Sequence, residues 1–245
     1  MLDAFKKTFF YIMLGIVFLG LLAMGSWQTA RMQWKENLIL TIEEAKKQEP
    51  VSLVENISSI ENNAFQWRYR SVDARLTLDQ NSYKLLIPKT RDGVVGAELI
   101  TIASLENGDQ IIVNLGFLEG QNLDLNAVLD QLNLSDDVAV SGYLKIFPYQ
   151  GMFQNDNDFS MTNIYWLDAN SYIESTNRDV DQFVPFIFEV ESKITPDLMP
   201  HELSTDLPNN HFKYAIFWYT MAFVFVFLLL YYYLYHKKSE REMAS

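Results

Sequence analysis

The sequence predicts a membrane protein in which two transmembrane α-helices flank an α+β domain dominated by an antiparallel β-sheet, closed as a small barrel or sandwich. Three observations predict it. Residues 9–26 ("FFYIMLGIVFLGLLAMGS") carry no charge over 18 positions, and residues 214–235 carry none over 22. At a rise of about 1.5 Å per residue these reach roughly 27 and 33 Å, enough for a hydrocarbon core of about 30 Å. Between them the apolar period moves towards two, punctuated by the turn signals "RDG" and "NGD".

The elements follow in order. Residues 1–8 form one tail and 9–26 the first span. Lys6, Lys7, the apolar run and "AMG" at 23–25 also fit a cleavable signal peptide, so two readings compete there. Trp34, Leu38, Ile42 and Ala45 recur at spacings of four, four and three, predicting an amphipathic helix over 34–48 that stops before Pro50. From Gln66 onward Trp67, Tyr69, Ser71 and Asp73 alternate on one face of a strand, with a register change near Ala74. "SYKLLIP", "VVGAELITIASL" and "DQIIVNLGFL" continue an antiparallel meander. Leu125, Val128, Leu129 and Leu132 predict a short helix over 123–133. "VAVSGYLKIF" and "MTNIYWLD" are further strands around a polar loop, "DANSYIEST" is a helical turn, and "FVPFIFEVE" is a last buried strand. The domain thus runs over 27–213, the second span over 214–235 and a second tail over 236–245.

Basic residues near the spans set the orientation. Lys6, Lys7, Lys237, Lys238 and Arg241 lie on one side, against Arg31, Lys35 and Lys213 on the other. Both termini are therefore expected in the cytoplasm and the domain outside it. Removing the five basic and three acidic tail charges from 19 basic and 31 acidic residues leaves 14 and 28, so the middle carries −14. Such a domain does not suit nucleic acid or anionic lipid surfaces. The absence of Cys excludes disulfides, thiolate metal sites and a cysteine nucleophile.

Catalytic patterns are missing. There is no G-x-S-x-G elbow and no phosphate-binding glycine loop. "NDND" at 155–158 fits the start of a calcium loop, but Ser160 and Met161 occupy later ligand and glycine positions, so a polar turn is expected. Zinc would need more ligands than His201 and His211 supply.

His211 remains. Asn209 and Asn210 follow Pro208 and are good N-cap residues, so a helix should begin near His211. Its imidazole then lies in the first turn, at the positive end of the helix dipole. Trp218 stands seven residues on, two turns along the same face, among Phe212, Tyr214, Phe217 and Tyr219. A haem needs an axial ligand, a flat apolar wall and exclusion of water. An aromatic belt at a membrane interface has the same composition, and spacing alone does not separate the two.

Two stretches bear on that choice. "GSWQTARMQWKENLI" resembles the G-x-W-Q-x-x-R-x-x-W-K-x-x-L-I signature of the surfeit locus protein one family, the cytochrome c oxidase assembly factors. "PNNHFKYAIFWYTMA" is similar to that family's N-H-x-x-Y-A-x-x-W element. "PKTRDGVVGAELIT", "IIVNLGFL" and "FQNDNDFSMTNIYWLD" resemble its internal blocks in the same order, so the likeness runs from Gly25 to Ala222.

The resemblance implies an uncleaved first helix and a bacterial inner-membrane version of the protein. It implies a protein that is not an enzyme, that binds haem a, and that aids its insertion into the catalytic subunit of cytochrome c oxidase. Haem a synthesis machinery and membrane lipid are the other implied partners. His211 matches the family's suspected iron ligand and Trp218 its later tryptophan. Arg31, one helical turn from Trp27, is a candidate for a haem propionate, or for a snorkelling interfacial residue. The alternative is a membrane scaffold that stabilises the oxidase subunit without holding haem. One block departs: where members often read N-R-G-W, this chain has Asn114, Leu115, Gly116 and Phe117.

Overall fold

The computed structural model describes residues 2–148, 150–152 and 156–243. In chain order the elements are α1 (Leu2–Lys46), β1 (Val51–Ser52), α2 (Leu53–Asn62), β2 (Ser71–Leu78), β3 (Lys84–Arg91) and β4 (Val94–Leu105). There follow β5 (Gln110–Glu119), α3 (Leu125–Leu132), β6 (Asp137–Lys145), β7 (Asn163–Ile164), α4 (Ala169–Ser175), β8 (Phe183–Val190) and α5 (His211–Met243). The chain divides into two units, Met1–Leu40 with Asp206–Ser245, and Thr41–Thr205.

The first unit is helical. Both α1 and α5 are long and apolar enough to cross a membrane. The expected span and the expected amphipathic helix prove to be one continuous helix. No proline precedes Pro50, so nothing in the sequence ends the helix between them. Likewise α5 extends three residues before the expected span and begins at His211.

The second unit is a closed barrel. Strands β2, β6, β8, β5 and β4 form a ring, because Leu76–Leu78 region of β2 pairs with residues 103–105 of β4 while its other edge pairs with β6. Of the two architectures the sequence allowed, the ring is the one adopted. Strands β1, β3 and β7 extend the sheet beside it. Inside lie Val72 and Leu76 of β2, Val113 and Leu115 of β5, and Phe186 and Phe188 of β8, joined by Leu53 and Ile60 of α2 and Leu132 of α3. On the outer face, Tyr172 and Ile173 of α4 cover Ile100, Ile102, Ile112 and Ile187. Asp124 caps α3 by accepting from the Ala127 amide, and Asp168 caps α4 through the Ser171 amide.

The sheet is mixed rather than purely antiparallel. The pairs β1–β2, β3–β7 and β5–β8 are parallel. Strand β8 slots between β5 and β6 after a crossover containing α3, β6, β7 and α4, long enough to reverse the chain direction. Covered on both faces, β8 reads as a nearly continuous apolar run, which reports burial and not direction.

Local readings also change. The expected register change near Ala74 is absent: β2 pairs with β6 without interruption from Ser71 to Thr77. Trp67 belongs to a 3-10 turn and Tyr69 has φ of 65°, so the alternation read through them is not strand alternation. Strand β3 runs past Pro88 to Arg91 because a pairing irregularity between Leu86 and Lys89 accommodates the missing N–H. "MTNIYWLD" contributes only the two residues of β7. In the polar loop, Asp158 Oδ1 accepts from the Ser160 amide and hydroxyl, a local turn. Asn155, the first residue of "NDND", lies outside the described residues.

A bulge explains the departing block. Leu99 faces Gly116 while Ile100 faces Asn114, leaving Leu115 as the extra residue of β5. Gly116 has φ of 145°, and a Cβ there would stand 2.5 Å from the Met199 carbonyl oxygen. Leu115 is 1% exposed and packs in the barrel core, a place for an apolar side chain. Leu115→Ala should therefore cost about 2–5 kcal/mol in denaturant unfolding of the detergent-solubilised chain, and Leu115→Met less than about 1.5. Leu115→Arg should cost more than Leu115→Ala in this chain, because its charge enters an apolar core with no partner placed for it.

Candidate functional site

The two apolar helices meet along a narrow seam. On α5 the residues withdrawn from the surface include His211, Ala215, Trp218, Ala222, Phe225 and Leu229, alternating four and three apart. On α1 the matching set includes Leu21, Gly25, Gln28, Met32 and Lys35. Those periods are what one side of a helix presents to a partner. Small residues at the contact let the backbones approach. A Cβ on Gly25 would fall 2.7 Å from the Tyr219 ring, so the ring as placed packs directly on the glycine. Ser26 Oγ lies 3.4 Å from the Tyr219 hydroxyl.

Further along, the contacts turn polar. The Lys35 ammonium donates to the Pro208 carbonyl, and the Asn209 amide donates to the Met32 carbonyl at 3.5 Å. Asn210 accepts from the Lys213 and Tyr214 amides and so opens α5 through its backbone, as an N-cap residue does. The pairs 25 with 219, 28 with 211 and 32 with 209 descend on one helix as they rise on the other, so the helices run antiparallel.

His211 sits at this polar end. Its Nδ1 lies 2.7 Å from Oε1 of Gln28. Gln28 is 8% exposed, one of few buried polar side chains among the described residues. A carboxamide oxygen only accepts, so Nδ1 carries the proton and donates it. The Nε2 lone pair then lies on the opposite side of the ring and is the nitrogen left for a metal.

The structure brings His211 and Trp218 onto one face of α5, both half-buried, as their spacing predicts. Phe217 meets Trp218 edge to face at 5.3 Å. Phe212, Tyr214 and Phe217 are all more than half exposed and point away from the seam. Arg31 is not brought to His211: its guanidinium lies 4.0 Å over the Trp34 ring, one turn further along α1. Gln28, the partner of His211, stands inside "WQTAR", but a motif does not reveal which of its residues faces the other helix.

A second polar group lies within the barrel unit. Asn114 donates to Glu98 and Glu189 from one amide nitrogen, at 3.2 and 3.1 Å. Lys145 reaches Glu189 at 2.9 Å and Lys89 reaches Glu98 at 2.9 Å. His201 Nδ1 lies 3.1 Å from Glu189, itself 2% exposed. Burial would raise the Glu98 carboxyl, but the ion pair with Lys89, with Lys145 behind it, holds it below the ordinary carboxylate range. Burial holds His201 below the ordinary histidine range, outweighing the pull of Glu189 and Glu98. The ring is therefore neutral, and its Nε2 is buried without a hydrogen-bond partner. Among the described residues, no group of three or more His, Cys, Asp or Glu is arranged to hold a metal ion.

These features define a class: a chain with a closed β-barrel whose terminal helices are apolar enough for a membrane and pair through a buried glutamine and a histidine. The family model of the SURF1 family matches residues 15–223. The chain belongs to the SURF1 family. Among curated relatives, a SURF1-like protein of Monosiga brevicollis is 26% identical over 214 residues, covering 81% of this chain and 78% of the relative. A SURF1-like protein of Dictyostelium discoideum is 23% identical over 255 residues, covering 89% and 93%. Surfeit locus protein 1 of Homo sapiens is 22% identical over 215 residues, covering 81% and 69%.

The His201 group makes stability depend on pH in a stated direction. The unfolded chain takes up the His201 proton more readily than the folded one, so this stability is complete above about pH 6.5 and declines as pH falls below it. Glu98, also depressed, adds a further loss below about pH 4.3. Melting midpoints of the detergent-solubilised chain should fall from pH 7 to 5.5, and His201→Gln should flatten that slope.

Proposed function

We propose that this protein is an assembly factor for cytochrome c oxidase that binds haem a and aids its insertion into the catalytic subunit. The reading starts from the family resemblance of the two helix motifs. The observation that carries its haem part is the 2.7 Å bond between His211 Nδ1 and Gln28 Oε1. It leaves one oriented imidazole nitrogen at the polar end of an apolar helix pair. That donor set suits a haem, which brings four nitrogens of its own and asks the protein for an axial ligand. A metal held by side chains alone would need several more.

In this reading His211 ligates the iron through Nε2 and Trp218, on the same helix face, offers an apolar wall. His211 would hold the iron, and the bound group would supply the redox-active macrocycle that the carrier delivers. Arg31 has a competing engagement with Trp34 and would have to leave it to meet a propionate. The protein works without chemistry of its own, as a membrane-embedded carrier with both ends in the cytoplasm and the barrel outside. The bacterial inner membrane is its proposed location, with the oxidase catalytic subunit and the haem a synthesis machinery as partners.

The test is the absorbance spectrum of protein co-produced with haem a biosynthesis enzymes. Wild type should carry haem, and His211→Ala should lose most of it. Equal haem in both removes the ligand role. If His211→Ala also still supports oxidase assembly and co-purifies with the subunit, the scaffold reading replaces this one.

A further inference from the structure

We infer that Gln28 is the positioning residue of the haem site, selecting the tautomer of His211 that leaves Nε2 free for iron; this rests on the haem reading above. A carboxamide and an imidazole are placed between two helices whose other seam residues are mostly apolar, and Gln28 is 8% exposed. Buried polar groups persist there when they satisfy one another, and this pair does so at 2.7 Å.

The bond is also directional. Gln28 Oε1 cannot donate, so it is compatible with the Nδ1–H tautomer and leaves the Nε2–H tautomer without a partner at that position. An imidazole without such an acceptor populates both tautomers and turns about its Cβ–Cγ bond. Metal-ligating histidines commonly donate their second nitrogen to an oxygen that fixes ring and tautomer together, and loss of that oxygen typically costs 10–100-fold in affinity. Gln28 supplies such an oxygen before any iron arrives, so the ligand is preorganised.

The helix pair holds the acceptor in place. Gly25, one turn before Gln28, admits the Tyr219 ring, and the Lys35–Pro208 and Asn209–Met32 bonds fasten the seam beyond. The Gln28 oxygen is therefore fixed by contacts on both sides of it.

The experiment uses the full chain in detergent micelles, free of haem, with ¹⁵N-labelled histidine. The chain has three histidines, so the His211 signals are assigned by their loss in His211→Ala. Long-range proton–nitrogen correlations above pH 8 should show Nδ1 protonated and Nε2 bare in wild type. Gln28→Leu should lose that pattern, while Gln28→Glu, which keeps an acceptor oxygen, should retain it. In a second arm, Gln28→Leu should bind haem about 10–100-fold more weakly. Gln28→Glu should bind it with a lower reduction potential than wild type, because a charged acceptor makes the imidazole more basic.

An Nε2–H tautomer in wild type, or an unchanged pattern in Gln28→Leu, overturns the inference whatever haem does. If Gln28→Leu does not fold, loss of the pattern in folded Gln28→Glu overturns it as well. A wild-type chain that takes up no haem sinks the haem reading, and the tautomer arm still decides what Gln28 does.

Discussion

The close approach of two apolar helices is the constraint on which the site depends. Surrounded by lipid, α1 and α5 would gain nothing from hiding apolar surface, since the tails are as apolar as leucine. Association rests instead on packing between small residues and on hydrogen bonds. Gly25 against Tyr219, with Ala215 and Ala222 buried in the same seam, provides the first. Gln28 with His211 provides the second. The two lie one helical turn apart: a side chain at Gly25 would meet the Tyr219 ring at 2.7 Å, and that ring would have to shift.

The barrel unit obeys a different rule. Its five strands close into a ring, and its interior is filled by aliphatic and aromatic side chains, with every strand contributing. Its polar group is held on strands β4, β5, β6 and β8, where Glu98, Asn114, Lys145 and Glu189 stand side by side only because the sheet order places those strands next to each other. His201 joins from the segment after β8, whose backbone bonds to it through the His201 amide and the Val190 carbonyl. Burial of the ring, outweighing the pull of Glu189 and Glu98, decides the state of His201.

Much of this was legible beforehand, and the failures have physical causes. Charge-free length identified both apolar helices, and the "RDG" and "NGD" turns located the hairpins β3–β4 and β4–β5. Helix α2 escaped although Leu53, Ile57 and Ile60 form its buried face, because so short a segment shows too few repeats of its period. Parallel pairing of β8 with β5 leaves no trace in a pattern that encodes burial alone. For the site, the seven-residue interval of His211 and Trp218 correctly gave a shared face. Gln28 was hidden because rotation of α1 about its axis is set by packing against α5, and the polar group around Glu189 because its members are spread over a hundred residues. Leu115 shows the same limit: only the bulge reveals why an apolar side chain belongs there.

A decisive measurement for the central claim is hyperfine spectroscopy of the ferric haem-loaded protein carrying ¹⁵N-histidine. The account predicts coupling of the iron to an imidazole nitrogen, lost in His211→Gly and restored by added unlabelled imidazole with the unlabelled nitrogen's signature. Unaltered ¹⁵N coupling in His211→Gly, or none in the wild type, would contradict it.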